Sequence, residues 1–431
     1  MAEAVLSSPS SSVRLNESGS FDLLCACATA NPSPEQIASM GGAVRRLSFV
    51  VREPAPHERA TSSEPGARTA DSEQRTASSE PWNDFLRLAE HHGVLALVAR
   101  NLVGYARGLL PEVEQSLQSA YAANLRRNLW FTAELLRIMQ HFARLQVRAL
   151  PLKGPVLAQT AYGDVGLRSF NDLDLLISAA DFARAKQALA ELGYRPSSEL
   201  TPAVERLWLR TGYERSFDGT AGKNLVELQW NLAPYFFAID CESGDFRFED
   251  LLARAGQVAL GATTIPCLSV EDSLLILCLH AAKHLWTRLI WVADIAETLR
   301  TQSIDFSLVA ARAQALGMAR ILGVSLWLAE HLLAARVHAA ARALWADDLE
   351  VRVLGEDYAA RLACAATYDF ESTDYFRRIL KLRERPSDRL RYLWRLALTP
   401  GPGEVAAVAL PETLFPLYRV VRIGRLLRKL I

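Results

Sequence analysis

Apolar positions recur at helical spacing along most of the chain, and the period breaks in one stretch near its middle. Phe21, Leu23, Leu24 and Cys25 open a helical pattern. Ser33-Pro34-Glu35-Gln36 reads as a second helix start: Ser33 caps, Pro34 takes the first helical position, and Gln36 closes a capping box. After Trp82, the residues Phe85, Leu86, Leu88 and Ala89 mark one helical face. A long amphipathic helix is predicted over 111–145, with Leu125, Leu129, Leu135, Ile138 and Phe142 among its apolar positions. The period then shortens. Residues 147–152 read as a buried strand, Gly154-Pro155 as a turn into a helix over 156–162, and 171–177 as a second strand. A helix over 181–192 stops at Gly193. Strands follow at 213–217 and 225–230. Helical spacing resumes at Asp272 and holds to about Leu396. The pattern predicts an α+β fold, a small mixed sheet flanked by N-terminal and C-terminal helical regions.

Composition sets the boundaries. The chain has 431 residues, too many for one ordinary core. Residues 1–20 are Ser-rich, with neither a basic start nor an apolar stretch, so a disordered leader and no signal peptide are expected. Residues 54–80 are rich in Pro, Ser, Thr, Ala, Glu and Arg, and 54–79 hold no large apolar side chain to offset the entropy of ordering; a disordered insertion is expected. The expected organisation is therefore an N-terminal helical region at 21–146 carrying that insertion, a core at 147–270, and a helical domain at 271–398. A Pro- and Gly-rich linker with a basic tail helix would fill 399–431. No repeat of fixed period is evident.

Charge and cysteine content narrow the class. Lys plus Arg and Asp plus Glu are both 48, so no global electrostatic grip on nucleic acid is indicated. Six Cys are scattered, without a C-x-x-C, and suggest reduced, buried thiols in a cytoplasmic protein. No apolar run is long enough to predict a transmembrane span.

The candidate chemistry lies where the period changes. On a strand alternate side chains share a face, so Asp172 and Asp174 project together while Leu173, Leu175 and Ile177 face the core. Two carboxylates so placed can hold a divalent cation, and oxygen ligands suit Mg²⁺, with Mn²⁺ as an alternative, rather than zinc. Glu227 stands in an otherwise apolar strand and supplies a third acid, enough for a site of two ions. Upstream, Lys153 offers a positive charge, Gly154 lets backbone approach a phosphate, and Arg168 could grip one bidentately.

Three stretches carry a resemblance: Leu150-Pro151-Leu152-Lys153-Gly154-Pro155-Val156-Leu157, Gly166-Leu167-Arg168-Ser169-Phe170-Asn171-Asp172-Leu173-Asp174, and Val226-Glu227-Leu228-Gln229-Trp230. They resemble a family of uncharacterised bacterial nucleotidyltransferases in the DNA polymerase β-like superfamily. The likeness continues through His280-Ala281-Ala282-Lys283-His284 and Trp291-Val292-Ala293-Asp294. It implies a minimal nucleotidyltransferase core that transfers a nucleoside monophosphate, AMP from ATP first among them, using two Mg²⁺. It implies metal ligation and catalysis by Asp172, Asp174 and Glu227, and nucleotide binding by Lys153, Gly154 and Arg168. The acceptor, a small molecule or a protein, stays open; an antitoxin-like protein AMP-transferase is one form. There are two departures. Pro155 stands where the superfamily has a second Gly or a Ser, and so removes one N–H. Gln229 stands where His is expected. They favour an alternative, a catalytically degenerate binding or sensor subunit of a biosynthetic cluster.

Other motifs have plainer readings. His280 and His284 share a helical face at the spacing of a metal pair, but no third ligand is near and no Glu stands at position 281, so packing or lining of the cleft is expected. Lys283 and Asp294 are expected mainly to pair helices. Trp286, Trp291 and Trp327 read as core. In the tail, Arg419, Arg422, Arg425 and Arg428 oppose Leu417, Val420, Val421 and Leu427. That helix is expected to dock on the protein with its basic face solvated, membrane-surface contact being the lesser reading.

Overall fold

The computed structural model describes residues 11–51, 75–77, 80–239, 246–343, 345–346, 348–370 and 372–428. The chain divides into two compact units, residues 1–123 and 124–431.

The first unit is built from α1 (Ser11–Cys27), α2 (Pro34–Ser48), a pair of short antiparallel strands, β1 (Phe49–Val51) and β2 (Arg75–Ala77), and the helices α3 (Glu80–His91) and α4 (Leu95–Tyr105). Its core gathers Leu24, Cys27, Met40, Trp82, Phe85, Leu97 and Leu102. The Ser33 capping box forms: Ser33 N–H donates to Gln36 Oε1 at 2.9 Å and Gln36 N–H to Ser33 Oγ at 3.3 Å. Asn101 is buried and donates to the carbonyls of Cys27 and Thr29, which ties α4 to the end of α1. Two expectations change. Helix begins at Ser11, inside the expected leader, and Arg75–Ala77 is a strand inside the expected insertion. Glu80, the last residue of the expected insertion, starts α3, and residues 1–10, 54–74 and 78–79 lie outside the described residues.

A single helix, α5 (Pro111–Arg144), carries the boundary between the units. The expected boundary near 146 moves to 123/124 because the later turns of α5 belong to the sheet's core: Phe131, Leu135, Ile138 and Phe142 pack with it. The second unit continues with β3 (Ala149–Pro151), α6 (Gly154–Leu157), which runs on as a π-helical turn over Ala158–Tyr162, β4 (Leu173–Ile177), α7 (Phe182–Glu191), β5 (Arg195–Pro196), α8 (Pro202–Thr211), β6 (Glu214–Gly219) and β7 (Gly222–Gln229). The sheet order is β3-β4-β7-β6-β5, with β4 and β7 parallel and the other pairs antiparallel. Leu173, Leu175 and Ile177 of β4, Val226 and Leu228 of β7, and Phe217 of β6 face one way, onto α5 and α7 residues such as Phe142, Phe182 and Leu189. The other face carries Asp174, Glu227, Gln229 and Glu214.

Helix α9 (Phe248–Ala253) and a hairpin of β8 (Gly256–Leu260) and β9 (Thr263–Cys267) lead into the helical layer. That layer comprises α10 (Val270–Lys283), α11 (Leu289–Thr301), α12 (Phe306–Ala315), α13 (Ala319–Leu333), α14 (Ala339–Arg342), α15 (Leu349–Ala363), α16 (Thr373–Leu382) and α17 (Pro386–Leu398). Ser269 Oγ accepts from the Asp272 N–H to cap α10, while the buried Asp272 carboxylate takes Arg254 and Arg312 at 2.9 Å each. Trp286 is core as expected and donates to Ser325 Oγ; Trp291 and Trp327 are half-buried. The chain ends in α18 (Pro402–Ala407) and α19 (Tyr418–Arg428). The orientation of α19 is a correction. Arg422 and Arg425 turn inward to the buried Glu404 carboxylate, and Val420, Ile423 and Leu427 are exposed along with Arg419 and Arg428. Cys25, Cys27, Cys267 and Cys278 are free and buried, as expected, but Cys364 is exposed; Cys241 lies outside the described residues. Among the described residues no helix is long and apolar enough to cross a membrane.

Candidate functional site

The parallel pairing of β4 with β7 sets Asp174 directly beside Glu227. Asp172 lies two residues earlier, just before β4 begins, and is half-buried. Antiparallel pairing adds Glu214, which sits opposite Gln229. Four carboxylates thus gather on the sheet face away from the core. Period-2 alternation makes this possible for Asp174 and Glu227, whose strand neighbours Leu173, Leu175, Val226 and Leu228 point into the core.

Two lysines answer this charge. Lys153, from the turn between β3 and α6, places Nζ 3.0 Å from Asp174 Oδ2. Lys283, in the last turn of α10, places Nζ 3.7 Å from Glu214 Oε2 and 4.7 Å from the centre of the Tyr213 ring. Gln229 Nε2 donates to Asp174 Oδ1 at 2.8 Å, so the side chain where His was expected fixes the rotamer of the central acid. The groups then divide. Burial would raise Asp174, but Lys153 and Lys283 outweigh it and hold this carboxyl below its ordinary value. Burial, reinforced by Asp174, raises Asp172. Burial and the neighbouring Asp174, Glu214 and Asp172 push Glu227 up to about 8. Burial works against the charge of Lys153, yet Asp174 and Asp172 raise its pKa and keep it an ammonium.

Lys153 also touches the helical layer. Its Nζ is 3.3 Å from His280 Nδ1 on α10. The His280 and His284 rings lie 4.7 Å apart, and His284 stacks on Trp291 at 4.8 Å. Burial first, then Lys153 and the other nearby cations, holds His280 well below its usual range, and so it stays neutral. These histidines line the acid cluster, as one of the sequence readings expected.

Arg168 departs from expectation. It is buried, and its Nε and Nη2 donate to the two Asp294 carboxylate oxygens at 2.7 and 2.8 Å; Tyr162 Oη donates to the same carboxylate at 2.8 Å. The bidentate fork expected on a phosphate is closed on α11 instead. Its backbone is pinned from below, where Asn128 Nδ2 on α5 donates to the Arg168 carbonyl at 2.7 Å and Asn124 Nδ2 to that of Gly166 at 2.8 Å. So the segment leading to Asp172 is clamped between α5 and α11. Gly154 begins α6 at φ +60°, a conformation that favours glycine.

The donor set suits a hard divalent ion: oxygen ligands only, two of them held above their ordinary carboxyl range by mutual repulsion and burial, which a cation would relieve. The acids do not close on one point as folded. Among the described residues no set of three His, Cys, Asp or Glu side chains forms a cage for a metal ion. Lys153 takes the central position on Asp174 that a cation would share. Two residues beside the acid cluster escaped the sequence reading as part of the site, the acid Glu214 and the neutral Tyr213. Glu214 lies in the strand expected at 213–217 and starts β6, and its phase there was the available signal.

Neither a curated protein nor a solved structure matches the chain. The family described as an uncharacterised nucleotidyltransferase matches residues 78–334, which include the whole acid cluster, Lys153, Arg168 and the helices bearing Lys283 and Asp294. By its fold and by this match over more than half its length, the chain belongs to that uncharacterised nucleotidyltransferase family.

Proposed function

We propose that the protein is a metal-dependent nucleotidyltransferase that moves a nucleoside monophosphate, AMP from ATP in the first instance, onto an acceptor hydroxyl. The observation that carries this is the side-by-side placement of Asp174 and Glu227 on parallel neighbours, with Asp172 at the mouth of the strand and two buried lysines facing them. Asp172, Asp174 and Glu227 would hold Mg²⁺, one ion or two. Bound there, the cation would offset phosphate charge and make the acceptor hydroxyl more acidic. In this reading the acceptor oxygen bonds to the α-phosphorus as the bond to the leaving pyrophosphate breaks and takes its electron pair. Glu227, ionised once a cation is bound, accepts the hydroxyl proton as general base. Lys153 moves its charge from Asp174 to the phosphates, next to the backbone of the Gly154 turn. Arg168 stays on Asp294 and positions Asp172 from behind.

The test is a thermal-shift panel of ATP, GTP, CTP and UTP with Mg²⁺ or with EDTA, repeated on Asp174→Asn and joined to a turnover assay with α-labelled nucleotide. Metal-dependent stabilisation by one nucleotide and release of pyrophosphate, both lost in the variant, are expected. Equal turnover by Asp174→Asn would sink the assignment. A labelled protein band in extract would mark a protein acceptor, the antitoxin-like form of the reaction.

A second reading has its own support. Both Asp174 oxygens are engaged, by Gln229 and Lys153, and Pro155 withholds an N–H at the turn. A fold that binds nucleotide without turnover would have these features. Nucleotide stabilisation that is indifferent to EDTA, with no product, would select it.

A further inference from the structure

The two last long helices present apolar side chains outward. On α17 the buried positions are Asp388, Tyr392 and Leu396, spaced four apart. The opposite stripe is Leu390, Leu393 and Trp394, at i, i+3 and i+4, with Leu390 70% and Trp394 68% exposed. On α19 the stripe is Val420, Ile423 and Leu427, at i, i+3 and i+7, with Val420 64% and Leu427 55% exposed. The two helices pack on each other, and Arg422 Nε donates to the Leu396 carbonyl at 3.1 Å. Amphipathic helices of a globular unit normally bury such stripes. Here α19 is held the other way round, because the buried Glu404 draws Arg422 and Arg425 inward.

The charge along the tail helix is of one sign, and Glu412, the acid just before it, pairs with Arg206. Residues 413–431 contain four Arg and Lys429 and neither Asp nor Glu, in a chain whose net charge is zero. Arg391 on α17 and Arg419 and Arg428 on α19 are exposed beside the apolar side chains. Leu and Trp on one side, flanked by solvated arginines, is the composition of a helix that lies in the headgroup region of an anionic bilayer. A second copy of the chain fits less well. A two-fold contact brings the same patch against itself, and would set these arginines against their own counterparts with no acid from either tail to offset them.

We propose that α17 and α19 form a docking face for an anionic lipid surface. Leu390, Leu393, Trp394, Val420, Ile423 and Leu427 enter the acyl boundary, while Arg391, Arg419 and Arg428 meet lipid phosphates. The proposal is independent of the reaction, since it uses no residue of the acid cluster.

The full chain would be co-sedimented with vesicles of phosphatidylcholine alone and of phosphatidylcholine mixed with phosphatidylglycerol. For three solvated arginines, partition onto the mixed vesicles should exceed that onto phosphatidylcholine by about a hundredfold at low salt, and should fall as salt is added. The variant Leu390→Ser/Trp394→Ser/Val420→Ser/Leu427→Ser should stay in the supernatant with an unchanged melting temperature, its positions being solvent-facing already. Arg391→Gln/Arg419→Gln/Arg428→Gln keeps the stripes and should reduce partition onto mixed vesicles to the phosphatidylcholine level. Equal partition onto both vesicles, no partition, or no effect of the arginine changes would overturn the proposal. So would reversible self-association in sedimentation velocity that the serine variant abolishes, which would assign the face to a second copy.

Discussion

Removing the Asp294 carboxylate should cost the second unit more than any change on its surface. Asp294→Ala strands the buried Arg168 guanidinium, which makes both of its recorded ion-pair contacts with this one side chain, and takes the acceptor from Tyr162 Oη. Breaking a buried pair from one side costs about 3–5 kcal/mol. With a urea slope of about 3 kcal/mol/M, the unfolding midpoint should fall by about 1–1.7 M. The double variant Arg168→Met/Asp294→Leu replaces the pair with apolar side chains of similar size and should recover most of that loss, for a coupling of about 2 kcal/mol in the cycle. The same double variant separates bracing from phosphate contact. If Arg168 acts only through Asp294 and the segment before Asp172, nucleotide affinity should stay within about twofold of wild type, whereas losing a charged contact to phosphate would weaken it about tenfold or more. A wild-type midpoint for Asp294→Ala, or a double variant no more stable than the single one, would refute the argument.

Three further outcomes follow from the same face. Glu227 is protonated in the metal-free protein below about pH 8 and must lose its proton to ligate, so Mn²⁺ affinity should rise as pH climbs from 6 to about 8 and then level. Titration calorimetry in buffers of different ionisation enthalpy should show proton release near pH 7, and Glu227→Gln should abolish it. The corresponding stability sign is that a carboxyl raised from 4.5 to about 8 makes the metal-free fold lose stability as pH rises through that window, which urea melts with and without the substitution can read. Gly154→Ala forces a Cβ into a left-handed conformation although its nearest neighbours lie 3.7 Å away, so the cost is backbone strain of about 1–2 kcal/mol and a melting temperature lower by about 2–3 °C; an unchanged melt would contradict it. Asn128→Ala leaves the Arg168 carbonyl without its side-chain donor and should cost about 1–3 kcal/mol in urea unfolding, with turnover falling too if that clamp positions Asp172.

Local spacing made much of the fold legible. The 3.6-residue period gave α5 almost to its ends, and alternation over 171–177 and 225–230 gave the two parallel strands together with the face on which Asp174 and Glu227 stand. The β8–β9 hairpin was missed although its signals were present: Val258 and Leu260, then Ile265 and Cys267, alternate about Gly261, whose φ is +61°. The sequence reading also placed Asp172 on β4, where the structure sets it one residue before the strand.

What the sequence by itself determined is which side chains share a face, because backbone period alone sets that. It thereby placed Asp174 and Glu227 away from the core, and it segregated arginine from leucine along the tail. Only the tertiary structure decided what each face meets. Arg168 and Asp294 are 126 residues apart, and no local pattern tells that the guanidinium will close on a helix rather than on a phosphate. Lys283 likewise reaches Glu214 from a helix far along the chain. The tail shows the limit most directly: its amphipathic pattern is plain, yet one buried acid, Glu404, turns Arg422 and Arg425 inward and leaves Val420, Ile423 and Leu427 exposed. The reason is physical. Periodicity is a property of neighbours on the chain, whereas the partner of a buried charge is chosen by the packing of elements that meet only once the chain has folded.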